Sequence, residues 1–133
     1  MPRLTILFIM LFPAGAALAQ SNCASYEPAV TSLEGRLASA VAFGPPGYGE
    51  TPKEDTREHY LVVMFGRPLC VSRGEDEVDE AENAFARVQL VYSGNTKGLK
   101  SGARVRVTGK LFHAHTGHHH TAVLIDVSEL AAR

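Results

Sequence analysis

Arg104-Val105-Arg106-Val107-Thr108-Gly109-Lys110-Leu111-Phe112, then His113-Ala114-His115-Thr116-Gly117-His118-His119-His120, then Thr121-Ala122-Val123-Leu124-Ile125-Asp126-Val127 decide the fold of this chain. In the first run Val105, Val107, Gly109 and Leu111 alternate with Arg104, Arg106, Thr108 and Lys110, the period of two of a half-buried strand. In the last run Val123, Ile125 and Val127 are apolar and Asp126 points the other way. Two such strands form a hairpin, so the histidines occupy its tip and are not a tail. Both apolar sets are odd-numbered, and they share a face only if the numbers of paired residues sum to an even value. A two-residue Thr116-Gly117 turn fails that condition. A three-residue His115-Thr116-Gly117 loop meets it, with Gly117 in the left-handed position of a type I turn and G1 bulge. The expected pairs are then Ala114 with His118 and His113 with His119. His113 and His119 would face each other on the core side of the rim, with His118 and His120 outside and His115 at the tip.

Upstream, Val30, Leu33 and Leu37 mark a strand within residues 26–41, bent or bulged at Gly35. Residues 43–52 are a glycine- and proline-punctuated loop carrying Phe43 and Tyr48. Residues 59–65 read as a buried strand, 66–68 as a turn, 69–71 as a short strand and 88–92 as another strand. Residues 93–102 hold at most a helical turn. Residues 74–83 carry six carboxylates, but their spacing does not match an EF-hand loop, and a solvated acidic loop or helix start is expected. About five short strands with little helix predict an all-β fold, a small five-stranded Greek-key barrel of the oligonucleotide/oligosaccharide-binding (OB) type. In that fold the histidine tip and the 43–52 loop flank the ligand face.

Residues 1–19 read as a secretory signal peptide: Arg3, a short apolar run over 4–12, and Ala17-Leu18-Ala19 before the cut. The run is shorter than the ~20 residues of a membrane span. Residues 20–133 then form a single soluble domain with no membrane span. In an exported chain the two cysteines, Cys23 and Cys70, read as a disulfide. Removing Arg3 from the 13 Lys+Arg leaves 12 against 14 Asp+Glu, which offers no basic footprint for nucleic acid.

Neutral imidazole suits Zn, Cu or Ni, so His113, His115, His118, His119 and His120 are candidate metal ligands. The competing reading is a polar tip that bonds neighbouring loops or meets a partner. His113-x-His115-x-Gly117-His118 echoes the metallo-β-lactamase motif but has Gly in place of its Asp. His119-x-Thr121 echoes half of a two-histidine phosphoesterase, and its second copy is missing. No Gly-x-Ser-x-Gly elbow occurs. No enzymatic activity is expected.

The segment Gly109-Lys110-Leu111-Phe112-His113-Ala114-His115-Thr116-Gly117-His118-His119-His120-Thr121 resembles the C-terminal signature of a family of secreted bacterial proteins, catalogued as a domain of unknown function. The resemblance extends through Tyr26-Glu27-Pro28-Ala29-Val30, Gly44-Pro45-Pro46-Gly47-Tyr48, Pro68-Leu69-Cys70-Val71 and Val88-Gln89-Leu90-Val91. Lys110 stands where the family usually has Thr, and residues 93–102 are shorter and richer in glycine. The resemblance carries no activity. The chain is therefore expected to be a secreted or periplasmic non-enzymatic binding module for an unknown small ligand or a divalent transition metal. The alternative is an envelope protein-interaction module, an inhibitor or immunity-like partner of a secreted enzyme, acting through Phe43, Tyr48 and the tip.

Overall fold

The computed structural model describes residues 23–72 and 82–133. It contains β1 (Ala24–Ser25), β2 (Thr31–Phe43), β3 (Arg57–Ser72), β4 (Glu82–Val91), β5 (Arg104–His113) and β6 (Val123–Ala132). The expected leader, 1–19, and the acidic stretch from 74 to 81 lie outside the described residues. Glu82 and Asn83, assigned above to that stretch, instead open β4. Among the described residues no helix is long and apolar enough to cross a membrane.

β2 holds the barrel closed by changing partners along its length. Its first half pairs with β5, from Thr31↔Gly109 to Arg36↔Arg104, and its second half with β3, from Arg36↔Met64 to Phe43↔Arg57. Gly35 sits at the changeover, where a Cβ would overlap the Met64 carbonyl oxygen, so the expected bend is present and needs glycine. β3 pairs antiparallel with β4, β4 parallel with β6, and β6 antiparallel with β5. The cycle β2-β3-β4-β6-β5 returns to β2, which is the five-stranded OB-like Greek-key order, and leaves no open edge within the barrel. Inside, Leu37, Val63, Val88, Val105, Val107, Leu111, Val123 and Ile125 are buried. The β-branched valines and Ile125 fit a pleated surface, and each buried side chain contributes about 1.5–3 kcal/mol.

The even-sum parity holds in the hairpin: Gly109 pairs with Val127, Leu111 with Ile125 and His113 with Val123. The loop length does not hold. Ala114 N–H donates to the Ala122 carbonyl (3.0 Å), so the loop spans 114–122 and His113 does not face His119. Among the described residues the glycines with positive φ are Gly49, Gly98 and Gly102, and Gly117 is not one of them. The three-residue turn lost because residues 114–122 bond to β3 and β4, described below, and not to each other as a ladder.

Two further strand limits differ from expectation. Residues 66–68 do not turn. They continue β3, and Pro68 falls where the pairing with β4 is interrupted between Met64 and Leu69, so its missing N–H removes no ladder bond. β6 runs to Ala132 because Ser128 is an extra residue between Gly109↔Val127 and Thr108↔Glu129; its hydroxyl donates to the Thr108 carbonyl (3.1 Å). Past this bulge the inward parity flips and Leu130 packs on the core. Residues 93–102 contain turns and no helix. Cys23 and Cys70 form the expected disulfide, tying β1 alongside the end of β3, worth about 2–4 kcal/mol in chain-entropy terms.

At the same bulge, a Cβ on Gly109 would overlap the Asp126 carbonyl oxygen, a backbone atom that cannot move without breaking the β5–β6 ladder. Gly109→Ala should lower unfolding stability by about 1–3 kcal/mol in urea titration. An unchanged midpoint would contradict this packing.

Candidate functional site

Loop 114–122 lies against the outside of the barrel, where Gln89 receives it. The strand register places Gln89 on the outer face of β4, between Val62 of β3 and Leu124 of β6. Its side-chain Nε2 donates to the His118 carbonyl (3.0 Å) and its Oε1 accepts the His120 N–H (2.7 Å). Its backbone N–H donates to Thr121 Oγ1 (3.0 Å), and that hydroxyl donates to the Val123 carbonyl (2.6 Å). Gln89 and Thr121 are both buried. A buried network with every member partnered fixes one loop conformation, and removing one member leaves another unsatisfied at about 1–3 kcal/mol.

Glu58 on β3 supplies the second anchor. Its Oε1 meets His118 Nδ1 at 2.6 Å and its Oε2 meets His120 Nε2 at 2.8 Å. The His120 hydrogen bond, followed by that from His118, holds the Glu58 carboxyl below its usual range against the opposing effect of burial. An ionised carboxylate only accepts, so both ring nitrogens facing it carry protons. In the neutral rings the lone pairs then sit on His118 Nε2 and His120 Nδ1, each across its own ring from Glu58. His120 is largely covered, with the Tyr60 ring 4.9 Å away, whereas the His118 side chain is 62% exposed.

His119 is held differently. Its Nδ1 accepts the His115 N–H (3.0 Å), which puts the proton of the neutral ring on Nε2. Phe112 and His115 pack on its ring at 5.4 and 4.6 Å. Burial, and then the neighbouring His115, His118 and His120, push His119 below the ordinary histidine value. His113 leaves the group altogether and stacks on Tyr26, 4.1 Å between ring centres.

The first long loop reaches the same place. Tyr48, with a φ of 49°, lays its ring on Gly117, where a Cβ would come within 2.7 Å of it, and meets the His118 ring edge-on at 5.9 Å. Glycine at 117 thus serves close approach and not a left-handed turn. Asp55 shapes this loop, accepting Gly47 N–H, Gly49 N–H and the Thr51 hydroxyl, each at 2.7 Å. Burial raises the Asp55 pKa, but the hydrogen bonds from Thr51, Gly49 and Gly47 together outweigh it and leave it lowered. Phe43 is a supporting residue, covered by the Arg57 guanidinium at 4.0 Å.

The structure therefore brings His118, His119 and His120 to one cleft of about 580 Å³, lined also by Glu58, Tyr60 and Gln89. It separates them from His113. Among the described residues no group of three or more His, Cys, Asp or Glu is placed to hold a metal ion. Glu58, Gln89, Tyr60 and Thr121 were missed from sequence, because nothing in a strand's own pattern says which outward-facing residue a distant loop will choose.

Residues 87–131 match the family described as Domain of unknown function (DUF4431). The matched stretch is about a third of the chain and includes Gln89 and the whole histidine loop, while Glu58, Tyr48 and both cysteines lie outside it. No curated protein and no solved structure matches the chain.

Because His119 binds protons less readily folded than unfolded, the unfolded chain holds more protons just below pH 6.5, and stability falls as pH drops through that window. The Glu58 contribution persists there and is lost only as pH falls below about 4.5. Thermal midpoints from pH 8 to 5 should decline more steeply for the native chain than for His119→Asn, whose side-chain oxygen accepts without titrating. Parallel profiles would contradict the assignment.

Proposed function

We propose that this chain is a non-enzymatic binding module, periplasmic or secreted, whose ligand enters the cleft between β3, β4 and the histidine loop. One observation carries the reading: a single carboxylate, Glu58, holds His118 and His120 on its two oxygens while Gln89 ties down the backbone of the same loop. The loop is thereby a fixed wall with imidazole faces. In OB-type barrels the second and third strands, with the loops after the first and fourth, form the ligand face. Here these are β3, β4 and loops 44–56 and 114–122; that support comes from fold alone. The disulfide is compatible with an extracytoplasmic location. The acid–base groups of the cleft hold one another in place, which favours binding over catalysis.

A divalent transition metal is the ligand with the sharpest test. A carboxylate that fixes the tautomer of a histidine is the usual outer support of a metal-bound imidazole. His118 Nε2 is the exposed donor, and the remaining ligands would come from its loop neighbours. Calorimetry of tag-free protein with Zn, Cu and Ni should show a dissociation constant below ~10 µM, about −7 kcal/mol. The binding should be lost in Glu58→Gln/His118→Gln and kept in His113→Gln. No heat with any of the three metals would remove the metal reading.

Tyr48 supports a second reading, an interaction with an envelope protein. Its left-handed backbone is uncommon for a non-glycine residue and is flanked by the Gly47 and Gly49 N–H groups that Asp55 accepts; Tyr48, 43% exposed with its ring against Gly117, is a preformed aromatic contact. Partner capture that survives chelator and is lost in Tyr48→Ala would favour it.

A further inference from the structure

We propose that the outer face of the barrel around Met64, next along β3 and β4 from the Gln89 anchor, docks an acidic segment of another protein through Arg36, Arg87 and Arg104. The register sets these residues in one row across four strands: Arg104 on β5 beside Arg36 on β2, Arg36 beside Met64 on β3, and Met64 beside Arg87 on β4. Adjacent strands lie ~4.8 Å apart, so the row is roughly 14 Å long. All three arginines are exposed, and Met64 is 47% exposed between them.

Arg36 and Arg104 are directly opposed, an arrangement of like charges that destabilises a strand pair. Their own surroundings do not offset it. Arg36 donates to the Gly102 carbonyl (3.0 Å), and none of the three has a carboxylate partner among the described residues. The neighbouring carboxylate, Glu34, is already held by Arg106 (2.8 Å) and Arg133 (2.5 Å), whose hydrogen bonds lower its pKa from the usual value. The face is therefore locally cationic on a chain whose formal net charge is −1.

Shape adds to charge. A hollow of about 420 Å³ opens beside the row, with Arg36 and Arg104 on its rim, Met64, Phe65 and Gly66 along it, and Glu34, already paired with Arg106 and Arg133, also in its lining. Gly66 leaves it open, since nothing lies within 4 Å of where its Cβ would be. Guanidinium groups bind carboxylates in a planar, two-pronged fashion, and Arg with Met around a small apolar centre is typical of protein interfaces. A long polyanion would need a broad basic field, which the net charge denies. A protein segment with carboxylates flanking one apolar side chain fits both the rim and the hollow.

The test is fluorescence anisotropy with a labelled, acetylated Glu-rich peptide carrying one central leucine. Binding should weaken at least tenfold in Arg36→Gln/Arg104→Gln, weaken with added salt, and disappear when the peptide's glutamates become glutamines. Lys53→Gln/Lys110→Gln, which removes the same two charges elsewhere on the barrel, should change it less than twofold. Arg104→Gln alone should also weaken binding yet keep or raise the thermal midpoint, because it relieves repulsion, so lost binding is not lost folding. The proposal is overturned by absence of binding up to about 1 mM, by equal binding to the double variant, or by equal binding of the glutamine peptide. Capture on phosphatidylglycerol vesicles without peptide binding would also overturn it, assigning the face to a lipid surface.

Discussion

The histidine loop owes its shape to two side chains on neighbouring strands, Glu58 and Gln89, which anchor its second half while residues 114–118 stay exposed. Gln89 satisfies one carbonyl and one amide of the loop with its side chain and a hydroxyl with its backbone. Glu58 satisfies two imidazoles at once. A segment with five ring nitrogen pairs in eight residues could adopt many tautomers and rotamers. With these anchors and the His115 N–H in place, His118, His119 and His120 each have one assigned tautomer in the neutral state. Tyr48, pressed onto Gly117, closes the fixed wall from the other long loop.

The barrel makes that convergence possible. Because β2 changes partners at Gly35, the start of β3 and the ends of β4 and β5 gather at the same end of the molecule. The parallel β4–β6 pairing puts Gln89 beside Leu124, just after the loop returns to the sheet. Without the bulge at Ser128 the inward parity of β6 would not flip, and Leu130 would leave the core. The arginine row uses the same geometry next along β3 and β4, where strand register and not a loop assembles the surface.

Much of the fold was legible in the sequence because a period of two records which face is buried. Val105, Val107, Leu111, Val123 and Ile125 announced their strands, and their shared parity correctly required an even register sum. Gly35 announced a bend, and the single pair of cysteines announced its bond. Loop length was not legible, because Thr116-Gly117 has the composition of a tight turn and nothing local reveals that Gln89 and Glu58 outcompete it. The same blindness hid the site. His118 and His120 stood out by type, but their partners are a glutamate and a glutamine 60 and about 30 positions away, joined only by register. His113, identical in type, belongs instead to Tyr26. The arginine row was invisible for a related reason: overall charge reports nothing about which strands lie side by side.

Long-range proton–nitrogen correlation spectra of the imidazole rings near pH 7.5 address the Glu58 clamp most directly. The account predicts one Nδ1–H tautomer for His118, Nε2–H tautomers for His119 and His120, and loss of the His118 and His120 preferences in Glu58→Gln. Rapid tautomer averaging at His118 and His120 in the native chain, or the same spectra with and without Glu58, would contradict it.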